Sequence, residues 1–171
     1  MLWVDLNALR DGPVEVAGSI EPGGQVFGSF DFRVVAPVEV RGRLSDAGPG
    51  QYFFQGNITA RVKAACRRCL RDVAIGIDEG IAVVFTEDST TDDPAAYVIA
   101  NQAGEIEMDE MVREQIILAV PGYPECRADC RGLCVTCGRD LNEGLCDCQP
   151  EPDPRWAALD ALKSPVTDKE S

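Results

Sequence analysis

Eight cysteines are the residues of this chain whose type and spacing can do chemistry. Six lie between Cys126 and Cys148, in CRADCRGLCVTCGRDLNEGLCDC, and the other two are far upstream in CRRCL, as Cys66 and Cys69. Thiolates paired across a gap of two residues are typical ligands of tetrahedral Zn²⁺. The chain has no histidine, which excludes a Ser-His-Asp triad, a Cys-His nucleophile pair and a His-ligated catalytic zinc.

The segment that ends at Cys148 has the most specific spacing. In CVTCG, the thiolates of Cys134 and Cys137 can reach one ion while backbone N–H groups donate to the sulfurs, and Gly138 permits the positive φ that closes such a knuckle. Cys146 and Cys148 can complete the tetrahedron, because GRDLNEGL between the two pairs contains turn residues. We predict a structural zinc site here. The alternatives are disulfides, an iron–sulfur cluster or free thiols.

The remaining cysteines are predicted to form a second four-cysteine zinc site, whose ligands are Cys66, Cys69, Cys126 and Cys130. Closing the loop between the two pairs costs roughly 4 kcal/mol by analogy with disulfide loops, whereas a structural zinc contributes about 10–16 kcal/mol. Spacing leaves the pairing open, because Cys130 and Cys134 can exchange roles. A thioredoxin-like role for Cys66 and Cys69 is disfavoured, since that motif opens a helix in a βαβ unit.

Segments in which apolar and polar residues alternate with a period of two precede the first cysteines, and one of them ends at Cys66. Alternation of apolar and polar residues predicts strands at 38–45 and 54–66, a further strand or strand pair at 72–86, and a weaker strand at 14–20. We therefore predict an α+β fold, in which residues 1–122 form an antiparallel, β-rich domain with one helix. Its strands form either a small barrel or an open sheet.

The helix of this domain is predicted over DEMVREQIILAV, where Asp109 can cap its start and Pro121 ends it. The acidic segment 86–94 predicts an exposed loop before that helix. The cysteine-rich zinc module is assigned to residues 123–150. Residues 151–171 are predicted to contain a C-terminal helix over DPRWAALDALK, followed by a disordered tail.

The chain is acidic, with a formal net charge of -13, so contact with nucleic acid requires a local basic patch. One such patch is RVKAACRRCLR, whose basic residues are Arg61, Lys63, Arg67, Arg68 and Arg71. One hypothesis is that these residues bind RNA phosphates beside the metal. The other is that the guanidinium groups offset the charge of about −2 on a tetrathiolate zinc centre.

The N-terminus, MLWVDLNALRDGP, lacks the basic region that opens a signal peptide, and no run approaches the ~20 apolar residues that cross a bilayer. We therefore expect a cytoplasmic protein. A reducing compartment keeps thiols available for metal rather than for disulfides.

These motifs resemble those of the YceD family. The resemblance covers residues 60–163 and rests on CRRCL, VREQIILAVP, the run DCRGLCVTCGRDLNEGLCDC and the closing DPRWAALDALK. It implies a non-enzymatic factor of bacteria and plastids that supports accumulation of large-subunit ribosomal RNA and ribosome biogenesis. Ribosomal RNA or large-subunit ribosomal proteins are the implied partners, with no membrane and no small-molecule substrate.

Departures from the family pattern are small. Family members commonly have Pro at Val135 and Asn at Asp140, and neither position supplies a thiolate. Some relatives lack most of the later cysteines, which suggests that the second zinc stabilises one branch of the family and is not its active feature everywhere. The resemblance therefore favours scaffolding as the role of the cysteines.

Two other classes of function fit the residues. One is an adapter between proteins that is stabilised by zinc and unrelated to ribosomes. Its acidic surface would recruit a basic partner. The other is a thiol oxidoreductase, which requires an accessible thiolate of low pKa. Catalytic acid–base residues are not predicted, because carboxylate pairs in so acidic a chain are expected to be solvated.

Overall fold

Antiparallel strand pairing builds most of this protein. The structure is a computed structural model that describes residues 1–23, 25–28, 30–149 and 155. Two short 3-10 helices span Leu6–Asp11 and Gln25–Phe27. The strands are β1 (Trp3–Asp5), β2 (Val14–Ile20), β3 (Phe32–Val34), β4 (Val38–Gly48), β5 (Gln51–Ala65), β6 (Asp72–Thr86), β7 (Ala96–Val98) and β8 (Glu105–Glu107). The α-helix α1 spans Asp109–Ala119.

The main sheet has the strand order β2-β4-β5-β6-β7, and β3 pairs with the end of β5 that β4 does not reach. All pairs are antiparallel except β6 with β7. Within the described residues β2 and β7 pair with no further strand of this sheet, so the sheet is open. The predicted α+β fold is confirmed, and the open sheet is the form present. Residues 72–86 form one strand, which pairs with β5 along its whole length.

One face of the sheet carries the hydrophobic core. Phe54, Ile58 and Val62 alternate along β5 and are fully buried, because each points towards the layer formed by α1, β1 and β8. From α1, Met111 and Ile116 enter the same cluster. The other face of β5 and β6 is mostly exposed and polar. The alternation of burial therefore follows the alternation of apolar and polar residues in the sequence.

Two glycines face each other in the middle of the core. Gly42 on β4 is paired with Gly56 on β5, and the ring of Phe54 lies over both. A Cβ atom on either glycine would come 2.7 Å from Cζ of Phe54. The lack of side chains at this pair makes room for the aromatic ring.

The start of α1 differs from the prediction. Its N-cap is Met108, which makes no side-chain capping hydrogen bond, and Asp109 is the first helical residue. The carboxylate of Asp109 is buried and accepts a hydrogen bond of 2.8 Å from the backbone N–H of Leu2. The prediction of Asp109 as a cap was wrong, because a contact with the distant N-terminal segment holds this carboxylate.

The acidic loop begins one residue later than predicted. Thr86 is buried as the last residue of β6, and the loop starts at Glu87, whose N–H donates to the carbonyl of Gly50. The helix predicted over DPRWAALDALK and the tail after it lie outside the described residues, apart from Arg155. The domain boundaries at 122 and 150 stay predictions. Across the described residues, no helix is long and apolar enough to span a bilayer.

Candidate metal centres

The eight cysteine sulfurs lie in two groups of four. Site A consists of Cys66, Cys69, Cys126 and Cys130, and site B consists of Cys134, Cys137, Cys146 and Cys148. Within each group all sulfurs lie within 4.8 Å of one another, and every cysteine is free. This is the grouping favoured by the spacing, with Cys130 in site A and Cys134 in site B.

The sulfur separations fit a tetrahedral metal. In site A the Sγ atoms of Cys69 and Cys126 are 3.7 Å apart, and those of Cys66 and Cys130 are 3.9 Å apart. Ligands at a Zn–S distance of about 2.3 Å form tetrahedron edges of about 3.8 Å, whereas a disulfide bond is about 2.05 Å long. Four thiolates at these separations are a donor set for Zn²⁺, and that zinc occupies them stays a prediction.

Site A joins the sheet to the cysteine-rich segment. Cys66 and Cys69 lie in the turn between β5 and β6, where the N–H of Leu70 donates to the carbonyl of Cys66 at 2.9 Å. Leu70 takes the positive φ of 60° that closes this knuckle, a conformation that favours glycine in most knuckles. Three of the four ligands are buried, with relative exposures of 0% for Cys66, 6% for Cys69 and 3% for Cys130.

Site B is built on a tighter and more exposed knuckle. The N–H of Gly138 donates to the carbonyl of Cys134 at 2.8 Å, and Gly138 has the predicted positive φ, of 72°. The N–H of Cys134 donates to the carbonyl of Arg139, also at 2.8 Å. Cys137 is exposed, and the other three ligands are half-buried. Solvent therefore reaches site B more easily than site A.

Each group combines a thiol that ionises readily with one that does not. The backbone N–H of Cys69 lowers the pKa of the Cys66 thiol to about 6, and burial raises the pKa of Cys126 to about 12. In site B, the backbone N–H of Cys137 lowers the pKa of Cys134 to about 6. The hydrogen bond in which the Cys148 thiol donates to Cys137, together with burial, raises the pKa of Cys148 to about 12. A divalent cation would supply the charge that the last thiolate of each group requires.

The apparent zinc affinity of both sites should decrease in two stages as the pH is lowered. At pH 7 two thiols of each group hold their protons because their pKa values are raised, Cys69 and Cys126 in site A and Cys146 and Cys148 in site B. Each zinc therefore displaces at least two protons, and its apparent affinity drops at least about a hundredfold per pH unit. Below the pKa of about 6 of Cys66 and Cys134, a third thiol of each group is protonated, and the drop becomes at least about a thousandfold per unit. Competition with a chelator of known pH dependence, measured between pH 8 and 5, checks this expectation. A pH-independent affinity contradicts it.

Arg67 and Arg68 of the basic patch hold the cysteine-rich segment against the sheet. The guanidinium of Arg67 lies 4.2 Å from the ring centroid of Tyr123. Arg68 donates through Nη1 to the carbonyl oxygen of Cys130 at 2.9 Å, and its Nε is 3.1 Å from the carboxylate of Glu125. Both side chains therefore bind groups that flank site A.

Arg71 extends this contact to the loop of site B, whereas the other two basic residues remain on the open face of the sheet. Nη2 of Arg71 is 3.0 Å from Asp140 and 3.1 Å from Glu143. Arg61 and Lys63 are exposed on β5, and neither forms an ion pair with the part of the chain that the structure describes. RNA contact by the five residues stays a prediction. Arg61 and Lys63 are the two of the five that lie exposed on the open face of the sheet.

One residue of the site was not predicted from the sequence. Asn142 donates a hydrogen bond of 3.5 Å from Nδ2 to Sγ of Cys130. It lies in the loop between the two cysteine pairs of site B, yet it contacts a ligand of site A. Its sequence context indicated only a turn, because the partner sulfur belongs to the other group.

Comparison with known proteins identifies one family and several bacterial relatives. A model of the YceD family, described as large ribosomal RNA subunit accumulation protein YceD, matches residues 54–163. An uncharacterized protein of Mycobacterium tuberculosis is 29% identical over 119 residues, which cover 66% of this chain and 56% of that protein. Uncharacterized protein YlbN of Bacillus subtilis is 28% identical over 138 residues, which cover 77% of each chain.

A plant relative carries a functional name. The chloroplastic large ribosomal RNA subunit accumulation protein YCED homolog 1 of Arabidopsis thaliana is 31% identical over 94 residues, which cover 54% of this chain and 29% of the plant protein. The chain thus spans little more than half of the mycobacterial relative and less of the plant one. No solved structure matches the chain.

Proposed function

The chain belongs to the YceD family, and from this premise we propose that it is a non-enzymatic factor that supports accumulation of large-subunit ribosomal RNA and assembly of the large ribosomal subunit. The observation that carries the proposal is the family match over residues 54–163, which include all eight cysteines. The partners we propose are ribosomal RNA or the ribosomal proteins of that subunit.

The arrangement of the cysteines supports a scaffolding role over thiol chemistry. A dithiol oxidoreductase needs one accessible thiolate and one resolving partner. Here each ionisable thiol, Cys66 and Cys134, has three further sulfurs within 4.8 Å, a set suited to holding a metal. We propose that both groups hold structural Zn²⁺, with site A fastening the cysteine-rich segment to the turn between β5 and β6.

The surface that we propose for RNA contact is the end of the open sheet face beside site A. Arg61 and Lys63 point outward there, since Val62 between them is fully buried. Arg33 on β3 is the register partner of Lys63 and adds a third cation, paired with the exposed Asp72 at 3.0 Å. A local cluster of this kind can bind phosphates although the whole chain is acidic.

The experiment combines depletion with complementation. In a strain that lacks the protein, the large-subunit RNA should fall while the small-subunit RNA is spared, and the wild-type gene should restore it. Arg61→Gln/Lys63→Gln should restore it poorly, because two phosphate contacts are lost. The matched control is Arg41→Gln/Arg43→Gln on the same sheet face, where the arginines already lie near Glu39 and Glu15.

Binding measured in vitro separates RNA contact from other causes. For a large-subunit RNA fragment, the slope of log affinity against log salt should become shallower by roughly 1.4–1.8 in Arg61→Gln/Lys63→Gln, and it should change little in the control. Normal large-subunit RNA in the deletion strain defeats the proposed function. Equal binding by both variants defeats the assignment of the surface alone.

An adapter function is favoured by one observation. Tyr123 is 72% exposed, and its chain neighbours Gly122 and Pro124 line a groove together with Phe30, Phe32 and Ile117. Exposed apolar groups of this kind occur at protein interfaces. Affinity purification with and without RNase distinguishes the two functions. Recovery of non-ribosomal partners alone, insensitive to RNase, favours the adapter.

A further inference from the structure

The two metal centres share one side chain. Asn142 lies in the loop that joins the two cysteine pairs of site B, and its Nδ2 donates to Sγ of Cys130 in site A at 3.5 Å. An N–H donor stabilises a thiolate against protonation and so favours its binding to a metal. Site A therefore takes one of its outer hydrogen bonds from the loop of site B.

The orientation of this side chain is fixed by its other hydrogen bonds. Oδ1 of Asn142 accepts from the backbone N–H of Arg131 at 2.9 Å and from Nη2 of Arg127 at 2.8 Å. The backbone N–H of Asn142 donates to Oδ1 of Asp140 at 2.8 Å. Nδ2 also donates to Oδ1 of Asp140 at 2.6 Å. Because the oxygen is held by two donors and one N–H by Asp140, the second N–H of the amide is directed at Cys130.

The position of Asn142 depends on the fold of site B. The bridge between Leu133 and Asp140 and the hydrogen bond from the N–H of Leu141 to the carbonyl of Gly132 close the loop over the knuckle. Cys146, which follows the loop, is a ligand of site B. A metal in site B would fix both ends of the loop at once.

A second contact also joins the turn of site A to the loop of site B. Arg71 belongs to the turn that carries the ligands Cys66 and Cys69, and its guanidinium binds Asp140 and Glu143 of the loop. These pairs are exposed on the Arg71 side and contribute little by themselves. They keep the loop close to site A, where Asn142 makes the contact with sulfur.

We propose that Asn142 couples the two centres: zinc in site B positions the Asn142 amide against Cys130 and thereby raises the zinc affinity of site A. Removal of an outer hydrogen bond to a ligand typically lowers metal affinity 10- to 100-fold. By thermodynamic reciprocity, zinc in site A raises the affinity of site B by the same factor. This coupling is independent of the ribosomal role and concerns only the metal centres.

The test is a double-mutant cycle that isolates the N–H donor. Asn142→Asp keeps an oxygen for Arg131 and Arg127 but has no N–H to offer the sulfur or Asp140. Because the new carboxylate would repel that of Asp140, Asp140→Asn/Asn142→Asp, which removes the repulsion, is measured beside it and should show the same loss. Cys134→Ser/Cys137→Ser empties site B. The zinc affinity of site A is measured in the wild type, both variants and their combination, by native mass spectrometry across a series of chelator concentrations.

Asn142→Asp should weaken site A about tenfold or more, and emptying site B should weaken it by a similar factor. In the combined variant the second loss should largely disappear, because both changes remove the same hydrogen bond. Unchanged affinity in Asn142→Asp overturns the proposal, as do fully additive losses or the absence of bound zinc. Emptying site B through Cys146→Ser/Cys148→Ser should reproduce the result and exclude an effect peculiar to one pair.

A spectroscopic measurement distinguishes this role from a structural one. With Co²⁺ in site A, the sulfur-to-metal charge-transfer bands should shift in Asn142→Asp, because the donor acts on the ligating thiolate. Asn57→Asp is the control, since Asn57 donates to Asp78 on the sheet, away from both sites. Bands that stay unchanged in Asn142→Asp overturn the proposal even if the variant is less stable.

Discussion

Purified under reducing conditions, the protein is expected to carry two zinc ions, and the Cys66→Ser/Cys69→Ser variant only one. The upstream pair supplies half of the ligands of site A and none of site B, and two remaining thiolates hold zinc far more weakly than four. Native mass spectrometry gives the stoichiometry directly. Cys134→Ser/Cys137→Ser is the matched control and should also lose one zinc.

The energetic effect of losing site A should be large. A structural zinc contributes about 10–16 kcal/mol, which is comparable to the whole free energy of unfolding of a domain, about 5–15 kcal/mol. The main core contains no cysteine, whereas the small cluster around site A contains little besides cysteines and Leu133 and Val73. Removal of zinc should therefore unfold the cysteine-rich segment while the sheet persists.

Hydrogen exchange after chelation measures this directly. Amides of the cysteine-rich segment should lose protection, including the N–H of Leu133 that donates to the carbonyl of Arg68, while those in the centre of β5 keep it. Two zinc ions in both cysteine variants would disprove the ligand assignment. A preparation with no bound transition metal, or with disulfide bonds between these sulfurs, would disprove the metal centres altogether.

The long strands were predictable because burial on one face imposes a two-residue period on the sequence. β4, β5 and β6 are long enough to show several repeats, and their inward residues are the apolar ones. β1 and β8 are three residues each, which is too short for any period to emerge. Their pairing joins the N-terminal segment to the approach to α1, and it depends on contacts between residues that are far apart in the sequence.

Contacts between residues far apart in the sequence also limited what could be predicted of the metal centres. Ligand spacing was enough to favour the grouping of the sulfurs, because tetrahedral coordination needs four ligands and the chain offers two plausible sets. The partners of the ligands were not predictable from spacing. Arg71 meets Asp140 across 69 positions, and Asn142 meets a sulfur of the other group. Residues that look alike in RVKAACRRCLR therefore separate, only in the folded protein, into arginines that contact the cysteine-rich segment and cations that lie on the exposed face of the sheet.

A methyl group at Gly56 should destabilise the sheet strongly. Its Cβ would lie 2.4 Å from the carbonyl oxygen of Arg41, 2.9 Å from Cα of Gly42 and 2.7 Å from Cζ of Phe54. Two of these atoms belong to the backbone of the neighbouring strand and cannot move without breaking the pairing of β4 with β5. Overpacking of this kind costs about 3 kcal/mol or more, which lowers the melting temperature by roughly 6–12 °C for a chain of this size.

Gly80→Ala is the matched control, because Gly80 lies on β6 and nothing is within 4 Å of the position that its new methyl group would take. There the substitution reduces the freedom of the unfolded chain and should leave stability unchanged or raise it by up to ~1 kcal/mol. Thermal and denaturant unfolding of the zinc-loaded proteins measure both effects. Equal stability of the two variants would show that the sheet can separate at Gly42 and Gly56, and that the ring of Phe54 is not confined by the pair. If Gly56→Ala alone is destabilised, the close approach of β4 and β5 at this glycine pair is part of what stabilises the sheet.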